Sequence, residues 1–169
     1  VWLKRRFKEY KIDDRDLSKL KMRMDIIPVS VALAQAANES GWGTSRFALE
    51  GNALFGQWTW SKKGISPKNQ DPDKTHRILQ FQVLKASVRA YKNNLNTHNA
   101  YREFREARAK LRQEDKQIIG LELTKYLKSY AAIGEKYVVI LDDIIEKNSL
   151  TDFDKANLLP TNLTTGVAL

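Results

Sequence analysis

In the run Ala34-Gln35-Ala36-Ala37-Asn38-Glu39-Ser40-Gly41-Trp42-Gly43, one carboxylate stands at the end of an apolar helical pattern, close to an indole. A carboxyl group so placed is expected to favour its protonated form, which suits it to hand a proton on as an acid. Reading back from Glu39, Pro28 fits the first turn of a helix, and Val29 to Ala37 holds only Ser30 and Gln35 as polar residues, the pattern of a helix buried nearly all round. Gly41 and Gly43 act as stop signals, so Glu39 falls in the last turn, where the helix dipole disfavours negative charge. Gln35 lies one turn earlier on the same face and is placed to hydrogen-bond or orient it. Residue types alone leave a second reading open, in which Glu39 swings to solvent or caps a neighbouring backbone.

The stretch Ile26 to Gly43, then Ser45-Arg46-Phe47-Ala48 and Asn52-Ala53-Leu54-Phe55-Gly56, closely resembles glycoside hydrolase family 73, the glucosaminidases with a lysozyme-like fold. The similarity continues through Gly56-Gln57-Trp58, the run Asn93 to His98, and Ser129-Tyr130 to Tyr137, covering most of residues 26 to 141, and is strongest to the Bax-type branch, related to the flagellar-rod peptidoglycan hydrolases. The resemblance implies that Glu39 is the general acid and that the partner is the glycan strand of bacterial peptidoglycan, cut at the β-1,4 bond after N-acetylglucosamine. A lytic transglycosylase or muramidase of the same fold, or a glycan-binding module without activity, are the alternatives. It also implies a mainly α (α+β) fold with a lysozyme-like helical body and a small β-hairpin lobe. Two departures stand out: Asn38 occupies a position where many relatives are apolar, and Ala131-Ala132-Ile133-Gly134 follows Tyr130 where other branches place an acidic residue.

Glycoside cleavage needs a proton for the leaving oxygen and a group that stabilises or traps the oxocarbenium-like carbon. Related enzymes often carry a second carboxylate on a mobile lobe, which points to Asp73 ahead of Asp71; both also suit a turn beside Pro72. The substrate's own N-acetyl group is the other candidate for that role. Tyr130 matches a family position close to the acid, where its hydroxyl would position water or bond the carboxyl; Tyr130 and Tyr137 equally suit an amphipathic core. Sugar rings present apolar C–H faces, so Phe55, Trp58 and Trp60 on one expected strand, where Trp58 and Trp60 share a face and Gln57 points opposite, read as a binding platform, and Trp42 reads as a wall behind Glu39. Gln35 and Tyr137 complete the expected substrate-binding set. His98, Asn94 and Asn96 read as caps and loop residues without chemistry.

These residues need a scaffold, and 169 residues at 42% hydrophobic content suffice for one well-buried domain, expected over 1–148 with a C-terminal tail at 149–169. Helical spacing is expected over 2–10, 14–24, 84–95, 101–111, 118–127 and 132–145, with Asp13 or Asp14 capping the second helix and Thr44 a short one ending at Gly51. Strands are expected over 54–60 and 76–81. With no cysteine and only two histidines, neither a metal centre nor another cofactor is expected. The net charge of +9 favours polyanionic surroundings such as the cell envelope, but no nucleic-acid motif accompanies it, and most basic residues of 102–112 read as a solvated face. No apolar run is long enough to span a bilayer, so stable membrane insertion is not expected. The expected setting is periplasmic or extracellular, as a monomer, with any export signal or anchor outside these residues.

Overall fold

Helix α3 (Val29–Ser40) is the axis of the fold, and the rest of the chain is arranged to cap it, cover one side of it and close a cleft at its end. The computed structural model describes residues 1–59, 64–66 and 77–157. In chain order these form α1 (Trp2–Glu9), α2 (Leu17–Arg23), α3, α4 (Arg46–Gly51), strands β1 (Trp58–Thr59) and β2 (Arg77–Ile78), α5 (Leu84–Thr97), α6 (Arg102–Gln113) and α7 (Glu135–Lys147). Short 3-10 turns fill the joints at Asn99–Tyr101, Gly120–Glu122, Thr124–Tyr130 and Leu150–Lys155. The protein is mainly α, with an antiparallel pair in the register Trp58 to Ile78 and Thr59 to Arg77, and Ile65 bridging to Ile78.

The strands are shorter than alternation suggested. Leu54 and Phe55 lie in a turn, because Phe55 is drawn into the helical core, where its ring stacks on Tyr91 at 3.9 Å. The segment 118–127 forms 3-10 turns instead of an α-helix. Caps also shift by a residue or two: Asp16 accepts the Ser18 and Lys19 amides at the start of α2, and Ser45 accepts the Ala48 amide at the start of α4.

Helix α3 packs on α7 and on the turns at Gly120–Glu122 and Leu150–Lys155, which bury Ser30, Val31, Ala34, Gln35 and Ala37. Its other side is open. Val29 and Leu33 are 42% and 40% exposed, so the helix is half covered and not buried all round. Leu95, Phe104, Leu123, Leu127, Leu141 and Ile145 complete the main core. A small satellite core of Phe7, Tyr10, Ile12 and Leu20 joins α1 to α2, and the Arg23 guanidinium ties it down by donating to the carbonyls of Tyr10 and Lys11.

The basic run of α6 does more than face solvent. Arg105 and Arg108 are 3% and 0% exposed and use their fixed forks of donors to satisfy carbonyls where helices end. Arg105 donates to Leu95 and His98, and Arg108 to Met22, to Ile26 and to the side-chain oxygen of Asn96. Burial lowers Arg108 to about 10, which still leaves it a cation at neutral pH. Its counter-charge is Asp25, also gripped by Arg112 through two hydrogen bonds of 3.2 and 3.0 Å. Burial alone would push the Asp25 carboxyl up; the Arg112 and Ile26 hydrogen bonds and the Arg108 charge outweigh it and hold it below its ordinary value. This cluster locks α6 beneath the segment that enters α3.

The N-terminus of α3 has no local side-chain cap. Asp154, in the turn Leu150–Lys155, supplies one from 124 residues away, accepting the Ser30 amide at 2.9 Å and the Ser30 hydroxyl at 2.7 Å. It also accepts the Gly120 amide at 2.8 Å. A Cβ on Gly120 would stand 1.9 Å from the Ser30 hydroxyl oxygen, so only glycine allows this approach. Asp154→Ala is expected to destabilise the fold by about 1–3 kcal/mol, the scale of a lost cap and of donors left unpaired. Thermal melts check this, and a chain ending at 148 should lose at least as much.

Candidate active site

Glu39 is delivered to the surface by the end of α3, where Gly41 turns the chain in the left-handed conformation and its amide bonds the Ala37 carbonyl. The Glu39 carboxylate is half-buried and held from one side. The Tyr137 hydroxyl donates to its Oε1 at 2.9 Å, and the Asn38 side-chain amide donates to the same oxygen at 3.3 Å. Asn38, a departure in the sequence, is thus a direct partner of the acid. The other oxygen, Oε2, faces Gly56, where an added Cβ would stand 3.4 Å away.

Around it lies a cleft of about 470 Å³ between the end of α3, the turn at Phe55 to Gln57, and the segment Tyr130 to Ala132. Asn94 and Tyr101 close the far wall. Glu39 is the one carboxylate among these lining residues, and the remainder are phenols, amides, small residues and Phe55. Tyr130 stacks on Tyr137 with centroids 5.6 Å apart and planes 6° from parallel, and meets Tyr101 at 6.1 Å. Burial first, and then the Glu39 charge, raise the phenols of Tyr130 and Tyr137 well above the ordinary tyrosine value. Both remain neutral hydrogen-bonding groups at any working pH. Tyr101 is raised by burial, is bonded by Asn94, and also feels Glu39.

The residues singled out from sequence divide in their placement. Gln35 does not touch Glu39 but bonds the Tyr137 hydroxyl, at 2.9 Å, and so reaches the acid through it. Tyr130 donates its proton to the Phe55 carbonyl at 3.1 Å, not to the acid, and thereby ties the turn at Phe55 to the helical body. Tyr137, at 1% exposure, is the tyrosine that holds the acid. Phe55 is 4% exposed and serves as cleft floor, since its ring is spent on Tyr91. Gln57 lines the cleft, and its side-chain oxygen is buried without a partner among the described residues. Trp42 is 64% exposed and so is not a wall packed behind Glu39; its backbone takes a left-handed φ of 58° that turns it out after Gly41. Trp58 is placed by its backbone in β1, while Trp60, Asp71 and Asp73 lie outside the described residues. His98 caps the turn at Asn99–Tyr101 by accepting the Ala100 amide.

Tyr91, Tyr101 and the cleft position of Asn94 escaped sequence reasoning. Spacing of Tyr91 with Leu95 on α5 marks a core face, yet periodicity carries no information on where a phenol hydroxyl ends up.

Gly56→Ala tests how closely the backbone must approach Glu39. Its φ of +58° makes a Cβ strained, costing about 1–2 kcal/mol in stability, and the new methyl would crowd Oε2. Any turnover that passes through the Glu39 carboxylate should fall by well over tenfold while the melting temperature drops only modestly.

Comparison with protein families matches residues 15–150 to Glucosaminidase, described as mannosyl-glycoprotein endo-beta-N-acetylglucosaminidase. Among curated proteins, Protein bax of Escherichia coli (strain K12) is 42% identical over 115 residues, which are 68% of this chain and 40% of the relative. The chain therefore spans about 40% of the length of that relative. No solved structure matches.

Proposed function

The chain belongs to the glucosaminidase family, of the Bax-type branch of glycoside hydrolase family 73, and from that premise we propose that it is a peptidoglycan hydrolase that cleaves the β-1,4 bond after N-acetylglucosamine, with Glu39 as general acid. The observation that carries this reading is the carboxylate held on one oxygen by a buried phenol, with the other oxygen turned toward a cleft that contains no cation and no second carboxylate among its described lining residues. Such a group can hand its proton to a glycosidic oxygen as the C–O bond breaks. A neutral wall of phenols and amides suits a sugar, which offers apolar faces and many hydroxyls. Among the described residues the Gln57 side-chain oxygen has no donor, which costs about 1–3 kcal/mol, and a substrate N–H or O–H would satisfy it.

Two larger concavities are chemically unlike this one. One of about 770 Å³ beside α1 is lined by Lys4, Lys8, Lys11 and Arg15 over aliphatic and aromatic groups, and one of about 590 Å³ lies between α2 and α6. Neither includes the family's acid.

In the proposed mechanism Oε2 of Glu39 protonates the leaving oxygen, and Oε1 is stabilised by Tyr137 and Asn38 as charge appears on the carboxylate. The carbon that loses its bond is stabilised by the Asp73 carboxylate, the partner the resemblance implies, or by the acetamido oxygen of the substrate. Trp42, 64% exposed, offers a surface to a flanking sugar, and Trp58 and Trp60 are the further stacking residues that the sequence suggests. The cell envelope is the place of action, since the substrate is there, and the net charge of +9 suits the carboxylates of its peptides.

Glu39→Gln keeps the shape of the acid and removes its transferable proton. Release of reducing ends from purified peptidoglycan should fall by roughly three or more powers of ten, with circular dichroism and the melting temperature unchanged. Wild-type release by the variant would refute the assignment.

A further inference from the structure

A line of hydrogen bonds runs from the core to the acid through three side chains that are each no more than 1% exposed: Tyr91, Gln35 and Tyr137. The Tyr91 hydroxyl donates to Oε1 of Gln35 at 2.7 Å, Nε2 of Gln35 donates to the Tyr137 hydroxyl at 2.9 Å, and that hydroxyl donates to Oε1 of Glu39 at 2.9 Å. All three point the same way.

The direction is set at the buried end. The Tyr91 ring is stacked on Phe55, and Gln35 is the one partner its hydroxyl has among the described residues. If Tyr91 accepted from Gln35, its own proton would be left unpaired in the core, at the full cost of a buried orphan donor. Tyr91 therefore donates, and Gln35 must turn its oxygen to Tyr91 and its amide to Tyr137. The Tyr137 oxygen then receives a proton from Gln35, and its single proton points outward to Glu39.

We infer that this line makes Oε1 of Glu39 a permanent acceptor and so assigns the transferable proton to Oε2, the oxygen facing Gly56 and the cleft. The reversed line would place the Glu39 proton on Oε1, directed at Tyr137 and away from any sugar. Tyr91 and Gln35 are thus positioning residues: they touch no substrate, and they act through Tyr137 on which oxygen can deliver the proton. When it does, the O–H electron pair stays on the carboxylate, the C–O pair leaves with the glycosidic oxygen, and water later takes the sugar carbon. The inference rests on the proposed role of Glu39 as the acid.

Two substitutions test it, measured with soluble glycan strands prepared from peptidoglycan, alongside Glu39→Gln and melting curves. Tyr91→Phe keeps the ring stack and removes the donor that sets the direction; kcat should fall by about tenfold, the scale of one buried hydrogen bond, with KM unchanged. Gln35→Glu offers acceptors to both phenols, so it turns the Tyr137 proton away from Glu39; kcat should fall at least roughly a hundredfold. Among the described residues the phenols of Tyr101, Tyr130 and Tyr137 feel the Glu39 charge, and the kcat profile of Gln35→Glu should move to higher pH, through loss of a donor and gain of a negative neighbour. Wild-type kcat and pH profile in both variants, with Glu39→Gln inactive, would overturn the inference and leave the acid in place. Activity in Glu39→Gln would instead overturn the reading beneath it. Should Gln35→Glu fail to fold, Tyr91→Phe decides alone, and a fall in kcat matched by an equal rise in KM and a lowered melting temperature would count against positioning.

Discussion

A carboxylate in the last turn of α3 meets the negative end of the helix dipole, and the hydrogen bond from Tyr137 is what makes that position tenable. Much of the architecture follows from this contact. For the Tyr137 hydroxyl to reach Glu39, α7 must lie against α3, and the turn Thr124–Tyr130 must bring Tyr130 flat against Tyr137. The start of α3 must also be fixed, which Asp154 accomplishes with two hydrogen bonds to Ser30 while a third ties it to Gly120, and the approach to α3 is set by Arg108 and Asp25 beneath residues 22–26. Groups far apart in sequence are thus recruited to place one oxygen pair at the edge of a cleft.

The helix that ends at Glu39 was legible because its signals are local. Pro28 at the entry, an apolar stretch, Glu39 in the last turn and Gly41 after it predict a helix that ends at a carboxylate, and α3 runs from Val29 to Ser40. The family motifs between residues 26 and 141 were equally readable, and the family match over 15–150 agrees with them. What could not be read was the partner of each polar group. Arg105 and Arg108 look like any charges on an amphipathic helix, and only the arrival of free carbonyls from α5 and from 22–26 makes burying them favourable. Asp154 sits in a segment without periodicity, so its bond to Ser30 leaves no trace in local pattern. Phe55 alternates like a strand residue, yet a stack with Tyr91 outweighs pairing and the strand starts only at Trp58.

The cleft is chemically plain. It presents Glu39 amid uncharged groups, so under the proposed function specificity would come from shape and from hydrogen bonds to sugar hydroxyls and acetamido groups. The strand pair at Trp58–Thr59 and Arg77–Ile78 flanks the cleft through Gln57, whose carbonyl accepts the Leu79 amide at 2.7 Å. Hairpin and acid are therefore mechanically joined by a few residues, from Phe55 to Trp58, which also carry Gly56 against the acid. A sugar bound along the hairpin would be registered directly against Oε2 of Glu39.

Which bond breaks, and how, is the central claim, and product chemistry reads it most directly. Purified peptidoglycan digested with the wild-type chain, reduced with borohydride and analysed by mass spectrometry should yield fragments ending in reduced N-acetylglucosamine. Fragments ending in reduced N-acetylmuramic acid, or in an anhydro sugar that borohydride leaves untouched, would contradict the account.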